Sequence, residues 1–296
     1  MNNKKIVITG GSGFVGSHVA DIFTNNGYNV TIFDNKKSKW IKKDQNFVEG
    51  DILDYEKILN TIEGAYAVYH FAGEAKIDES NLKPIDAIRY NILGTTNILE
   101  ASVKSKIERF VFASTVYVYS EKGGFYKSTK QSCELLTESY HEQYKLNYTI
   151  LRFGSLYGPR SNKSNGIYEI LHQAIKNGKI NRKSNGEEVR NYIHVLDAAK
   201  ACLNILKNEY CNKYVMITGS QKIKIKDLLS MVNEMLDNKI DIKFSNQGYS
   251  GHYENSPYTF RPRIADKFIG NSEIELGQGL LDLIYEMYKD INNTKL

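Results

Sequence analysis

Short apolar runs punctuate the first half of the chain, and helical spacing fills the intervals between them. Lys5-Ile6-Val7-Ile8-Thr9 is apolar and ends in glycines. Phe14 to Asn26 repeats apolar residues at helical spacing and stops at Gly27. Val30 to Phe33, Asn46 to Glu49, Ala65 to Phe71, Arg109 to Ala113 and Tyr148 to Phe153 continue the apolar series. Helical patterns over 55–62, 85–104 and 127–146 separate them. Such alternation predicts an α/β fold, a doubly wound parallel sheet with helices on both faces. Strands that are apolar almost throughout are what a sheet covered on both sides requires.

After Phe153 the rhythm loosens. Ser161 to Asn165 and Lys179 to Glu188 read as polar loops. A helix near 196–208 and a strand at Tyr214 to Thr218 are expected to return to the sheet. Residues 223–272 read as a helix, a short strand and a loop with Pro257 and Pro262. The tail 276–290 puts Leu276, Leu280, Ile284 and Tyr288 on one helical face. The expected organisation is a dinucleotide-binding half, 1–153, and a smaller substrate lobe, 154–296. Segments at about 190–218 of that lobe are woven back into the sheet.

Composition narrows the class. A chain of 296 residues with 41% hydrophobic and 25% charged residues is neither disordered nor collagen-like. Its 39 Lys+Arg against 34 Asp+Glu leave a net charge of +5. The densest basic run, Lys36, Lys37, Lys39, Lys42 and Lys43 around Trp40, has no nucleic-acid motif beside it and reads as a solvated loop. Neither a nucleic-acid nor a membrane partner is expected. Cys133, Cys202 and Cys211 form no CxxC pair, so a zinc knuckle or disulfide framework is not expected and a reducing, cytoplasmic compartment is. The opening MNNKKIVITGG is too briefly apolar for a leader peptide, and no stretch approaches the ~18 apolar residues of a membrane span.

The chemistry starts at Thr9-Gly10-Gly11-Ser12-Gly13-Phe14-Val15-Gly16, between the first strand and the first helix. A glycine turn there lets backbone approach a pyrophosphate, and the helix start offers N–H groups and positive dipole. Asp34 ends the second strand 18 residues after Gly16. An acidic side chain at that place accepts hydrogen bonds from ribose hydroxyls and repels a 2′-phosphate, which favours NAD. Lys36 and Lys37 keep NADP as a minor option.

Further motifs follow in order. They are Asp51-Ile52; His70-Phe71-Ala72-Gly73; Tyr90-Asn91 with Gly94-Thr95 and Asn97; and Phe112-Ala113-Ser114-Thr115 with Val118-Tyr119. After them come Tyr126-Lys127-Ser128-Thr129-Lys130; Leu151-Arg152-Phe153-Gly154-Ser155-Leu156-Tyr157-Gly158-Pro159; and Arg190-Asn191-Tyr192-Ile193-His194-Val195 with Asp197. Together with the glycine turn they resemble, nearly end to end, the extended short-chain dehydrogenase/reductase family of nucleotide-sugar epimerases and dehydratases. The resemblance implies a Rossmann-type sheet, NAD, a nucleotide-diphosphate sugar and a homodimer paired through helices 85–104 and 127–146. It implies cofactor contacts from Gly10, Gly13, Phe14, Val15, Gly16, Asp34, Asn35, Asp51, Ile52, Phe71, Ala72, Gly73, Asn91, Ala113, Ser114, Tyr126, Lys130 and Phe153. For the substrate it implies Thr115, Tyr117, Ser155, Asn165, Arg190 and Arg261, with Arg263 a rival to Arg261. No metal is implied. The Lys- and Asn-rich composition with 4 Pro suits an AT-rich bacterial genome and surface-polysaccharide sugar biosynthesis.

Thr115, Tyr126 and Lys130 are the implied catalytic residues. A phenol with pKa about 10 is a poor base at neutral pH. Lys130 follows Tyr126 by one helical turn, and its ammonium lowers that pKa. Tyr126 then takes a proton from a sugar hydroxyl as hydride leaves the same carbon, with Thr115 orienting the oxygen. Cys133 reads as a buried core residue, His194 as an organiser of the second lobe, and His70 as packing or cofactor-lining.

Three departures from the family bear on the reaction. Tyr126 follows Thr115 by only 11 residues, where the family carries a longer loop. Val116-Tyr117 stands where sugar 4,6-dehydratases place an Asp-Glu pair. Ser155 replaces an Asn that contacts substrate. What remains is reversible hydride transfer, most simply at C4. The enzyme is a 4-epimerase if the ketone turns over in place, and a 4-dehydrogenase or ketoreductase if it leaves. A dehydratase or a dinucleotide-sensing protein is a more remote alternative.

Overall fold

The computed structural model describes residues 3–245, 254, 266–267 and 274–293, with the side chains of 266–267 and 291–293 outside that description. β1 (Lys5–Thr9), β2 (Asn29–Asp34), β3 (Asn46–Glu49), β4 (Ala67–His70), β5 (Arg109–Thr115) and β6 (Tyr148–Phe153) form one parallel sheet in the order β3-β2-β1-β4-β5-β6. The register pairs Ile8 with Ile32 on one side and with Tyr69 on the other. Chain order reverses between β1 and β4, and in open α/β sheets the crevice at the carboxyl end of such a switch point is where ligands bind.

Successive strand residues face opposite layers. Val7, Val68, Phe110 and Phe112 pack under α2 (Tyr55–Ile62) and the helices that follow. Ile6, Ile8, Tyr69 and Val111 pack against α1 (Phe14–Asn25) on the other face. α1 stops at Asn26, and Gly27 turns the chain in the left-handed region (φ +78°). The helical stretch expected over 85–104 is compound. α3 (Ile77–Leu82) and α4 (Pro84–Ala87) precede a π-helical segment (Ile88–Leu93) that runs into α5 (Gly94–Lys104). After β5 a 3₁₀ turn (Val116–Tyr119) leads into α6 (Gly124–Tyr144).

The second half forms a lobe at the carboxyl end of the sheet. β7 (Ser155–Tyr157) is followed by α7 (Gly166–Asn177), β8 (Lys179–Arg182), β9 (Val189–His194) and α8 (Val195–Asn204). β10 (Lys213–Ile217), β11 (Lys222–Lys224), α9 (Ile225–Met235), β12 (Asp241–Phe244), β13 (Asp266–Lys267) and α10 (Leu276–Asn293) complete it. β10 joins β6 in the central sheet and β13 adds an edge, whereas β9 pairs with β7 and β11 in a separate small sheet. The loop expected at 179–188 thus contains a strand. β8 pairs in parallel with β12, and Ile180, its one apolar residue, is buried in the lobe core with Leu171, Leu228 and Leu280.

Candidate active site

The first wall of the crevice is backbone. Gly10 has φ +73°, and a Cβ there would lie 2.6 Å from the Ala72 nitrogen. A Cβ on Gly16 would lie 2.3 Å from the Gly10 carbonyl oxygen. Glycine at both positions is what lets the β1–α1 turn close on itself and on the end of β4. Asp34 ends β2 with its carboxylate accepting from Ser12 N (3.0 Å) and Lys36 N (3.2 Å). Burial raises its pKa above the ordinary carboxylate value, and the backbone donors oppose that shift. Phe14, Val15, Asn35, Asp51, Ile52, Phe71, Ala72, Gly73 and Phe153 line the same cleft, whose volume is about 1320 Å³. Gly13 lines it as well.

Asn91 does not line it. Its Oδ1 accepts from Glu74 N (2.7 Å), while its amide donates to Glu74 O (3.0 Å) and Thr129 Oγ1 (3.0 Å). It sits behind the wall and shapes the turn at Gly73, where φ is +136°. His70 is also behind it, held between Thr9 Oγ1 (2.6 Å) and Thr95 Oγ1 (2.9 Å), with burial lowering its pKa to about 3. Cys133 is buried and donates to Asn91 O (3.1 Å), and burial pushes its thiol up. His194 caps α8 by accepting from Leu196 N (3.3 Å). Among the described residues no cluster of three or more His, Cys, Asp or Glu could hold a metal.

The second wall is made of side chains. Thr115 ends β5, and its Oγ1 accepts from Tyr117 N (3.2 Å), which starts the 3₁₀ turn. The chain then turns back through Gly123 (φ +105°) and Gly124 (φ +49°). Asn81 from α3 accepts from Phe125 N (3.1 Å) at the start of α6. A contact from α3 thus steadies the short connection between Thr115 and Tyr126. Tyr126 lies in the first turn of α6 with Lys130 one turn on, and both line the cleft with Ala113, Ser114, Thr115 and Tyr117. Lys130 Nζ donates to Ala113 O (2.8 Å) and lies 4.8 Å from the Phe112 ring centre. Burial lowers its pKa, while Cys133 and Glu134 pull it back up. The rings of Tyr117 and Tyr126 meet edge to face at 6.2 Å.

On the lobe side Ser155, Asn165 and Arg190 line the cleft. Asn165 caps α7, accepting from Ile167 N (3.1 Å) and Tyr168 N (3.2 Å) and donating to Leu156 O (2.7 Å). Arg190 is buried, and its Nη1 donates to Val189 O (2.9 Å) and Glu254 O (3.3 Å). Arg261 and Arg263, with Pro257 and Pro262, lie outside the described residues. Sequence reasoning missed Lys163, Gln173 and Arg182, which line the far end. It also missed Glu134, buried one turn beyond Lys130, although the i+4 spacing from Tyr126 through Lys130 was a usable signal.

A sequence model of the NAD dependent epimerase/dehydratase family matches residues 6–216. This chain belongs to that family. Among its relatives, human dTDP-D-glucose 4,6-dehydratase is 25% identical, over 78% of this chain and 75% of that protein. A Methanocaldococcus jannaschii protein, provisionally named a UDP-glucose 4-epimerase, is 29% identical over 98% of this chain and all of its own length. The structure of Thermotoga maritima UDP-glucose 4-epimerase with UDP-glucose superposes with a TM-score of 0.84 at 25% identity. The match covers 97% of this chain and 99% of that one.

Like the rest of its family, the protein is an enzyme and its cofactor is NAD. The crevice fits that group. Gly10, Gly13 and Gly16 line the cleft at the start of α1 without side chains, beside helix N–H groups that suit a pyrophosphate, and the Asp34 carboxylate at the end of β2 has the chemistry to accept from ribose hydroxyls.

Proposed function

We propose that this NAD-dependent enzyme acts on a nucleotide-diphosphate sugar at C4, as a 4-epimerase. When bound, NAD supplies the hydride acceptor, held by the residues of the first wall. Tyr126 takes the proton of the C4 hydroxyl, Thr115 holds that oxygen, and the Lys130 cation stabilises the phenolate. Asn165 and Arg190 would meet the diphosphate, since an amide and a guanidinium suit phosphate oxygens. NAD binding is assigned to residues 1–153, which also carry Thr115 and Tyr126, and the remaining substrate contacts to the lobe 154–296.

The observation that carries the choice of reaction is the neighbour of Thr115. Elimination of water needs an acid and a carboxylate beside the sugar, and the place after Thr115 is held by Val116 and the Tyr117 ring against Tyr126. Reversible oxidation of a carbinol needs no further group. The dTDP-D-glucose 4,6-dehydratase relatives support elimination as a second reading, and the T. maritima enzyme's UDP-glucose supports the first. Incubation with UDP-, GDP-, CDP- and dTDP-sugars, followed by mass spectrometry and NMR, decides. Interconversion of two C4 epimers at unchanged mass is expected. A product lighter by one water would establish elimination, and an accumulating ketone would establish a dehydrogenase.

A homodimer is part of the same reading. Ile85 (72% exposed), Ile88, Leu93 and Leu135 leave apolar surface on the π-helical segment, its flanks and α6. Light scattering at micromolar concentration should give twice the chain mass, and a monomer would refute the pairing. The cysteines are unpaired, which supports a cytoplasmic setting. Among the described residues no helix is long and apolar enough to cross a membrane.

A further inference from the structure

Arg160 stands where the two halves of the chain meet. Its Nη2 donates to Asp21 Oδ2 of α1 (2.7 Å), and its guanidinium carbon lies 5.0 Å from the centre of the Trp40 ring. Trp40 belongs to the connection between β2 and β3, which leaves Asp34 and returns past Asp21. There Gln45 Nε2 donates to Asp21 Oδ1 (3.0 Å), and Lys42 Nζ lies 3.3 Å from the same oxygen. One residue before Arg160, the Pro159 carbonyl accepts from His18 of α1 (3.0 Å). Asp21 and Arg160 keep only 14% and 15% of their side-chain surface, so this pair is poorly screened, whereas Lys42 keeps 41%.

What Arg160 fixes is an approach to the cleft. Its φ is +64°, a left-handed conformation that a residue with a Cβ keeps when its surroundings hold it there. The chain then runs through Ser161, Asn162, Lys163 and Ser164 to Asn165, the cap of α7. Ser161 Oγ donates to Gly158 O (2.7 Å), Ser164 N to Asn162 Oδ1 (2.9 Å) and Asn165 N to Asn162 O (2.8 Å). These bonds stay inside the segment. Among the described residues, its hydrogen bonds to other parts of the protein are made at its two ends, by Pro159 and Arg160 and by Asn165. Asn162, Lys163, Ser164 and Asn165 line the cleft, while Asp21, Trp40 and Arg160 do not.

We propose that Arg160 is a positioning residue for the nucleotide sugar: anchored on the NAD-binding half through Asp21 and Trp40, it holds the segment that brings Lys163 and Asn165 to the diphosphate. This role rests on Asn165 meeting the diphosphate, as proposed above, and it adds the Lys163 ammonium as a second cation beside Arg190 for the phosphate oxygens. A segment fixed in place before binding loses less freedom when the ligand arrives, so the hold acts on affinity and not on the chemical step. A merely structural contact would change stability and loosen both ligands or neither. A positioning contact weakens the nucleotide alone, and residues of the other half that line no part of the cleft produce the same loss.

The test is calorimetry of UDP, GDP, CDP and dTDP, each in turn, with the NAD-bound protein, followed through the variants with the tightest of the four. Arg160→Gly removes the side chain and still permits the left-handed backbone. It should weaken that nucleotide by about tenfold or more and leave NAD affinity within about twofold of the parent. In turnover it should raise the KM of the matching nucleotide sugar at unchanged kcat. Asp21→Asn should weaken the nucleotide in the same direction. Adding it to Arg160→Gly should cost no more than the larger single loss, since both break one contact. Unchanged nucleotide affinity in either folded variant overturns the proposal, as does an equal loss of NAD affinity or full additivity in the double variant. If Arg160→Gly does not fold, Asp21→Asn decides alone by the same measure. If none of the four nucleotides binds the parent, the nucleotide-sugar reading fails and the positioning role falls with it. If one binds but no sugar is turned over, only the reaction fails, and the affinities still decide the role of Arg160.

Discussion

The wall beside the glycine turn is made of backbone, whereas the wall beside Tyr126 is made of side chains that already hold the fold together. On the first, Gly10 and Gly16 are placed where any Cβ would collide, and Asp34 is oriented by two main-chain N–H groups. On the second, Lys130 holds a strand carbonyl, Asn165 caps a helix and Arg190 holds two carbonyls. The difference teaches where substitutions act. A change on the first wall alters shape. A change on the second alters chemistry and support together, so its variants need a readout for each.

The largest expected effect separates the two walls outright. Tyr126→Phe should cut turnover by about 10²–10⁴-fold while NAD binding, followed by fluorescence quenching, stays within the parent range. Comparable turnover in that variant would remove Tyr126 from the chemistry. Acid should come next, at the joint between the walls. His18 of α1 bonds the carbonyl of Pro159 (3.0 Å), and burial lowers its pKa to about 4. Its unfolded pKa is about 6.5. Between those values the unfolded chain binds the extra proton, so stability is full above pH about 6.5 and falls as pH drops towards 4, by up to about 1.4 kcal/mol per unit. Denaturant midpoints against pH should show this slope, steepened by His70 and His194, which burial lowers to about 3 and about 4, and His18→Gln should remove only its own share, up to about 1.4 kcal/mol per unit.

Gly16→Ala tests the backbone wall alone. Its methyl would meet the Gly10 carbonyl, so a loss of about 1–3 kcal/mol and weakened NAD binding are expected, with Tyr126 chemistry intact in whatever protein stays loaded. Asn165 gives the finest discrimination. Asn165→Ala should cost about 0.5–2 kcal/mol as a lost cap, while Asn165→Asp keeps the cap and loses the bond donated to Leu156 O. If Asn165 also meets the diphosphate, the Asp variant should fold with its cap kept, less stable than the parent by the lost Leu156 bond, and show a raised KM for the nucleotide sugar. An unchanged KM would leave Asn165 a cap and nothing more.

Much of the first half was legible because its signals are local. The strands from Lys5 to Phe153 are apolar runs, and their helices announce themselves by spacing and by stops such as Gly27. The glycine turn, Asp34 and the Tyr126–Lys130 pair were readable for the same reason, since each lies within one turn or one strand end. β8 was not readable, because Ile180 is its single apolar residue and its partner strand lies some sixty residues on. The placement of Asn91 behind the cleft was hidden too, since it depends on a turn at Gly73 and a threonine on α6.

By itself the chain's order of residues determined the strand–helix alternation, the glycine cradle and the spacing that puts a lysine one turn after a tyrosine. These follow from steric rules and periodicities that act over a few residues. Only the tertiary structure decided that Tyr117 would stand edge-on to Tyr126, that α3 would cap α6 through Asn81, and that Glu134 would sit between Ser114 and Arg152. Those contacts join segments far apart in the chain. They exist because the sheet's register and the burial of each helix face leave one place for each side chain, a constraint that no local pattern carries.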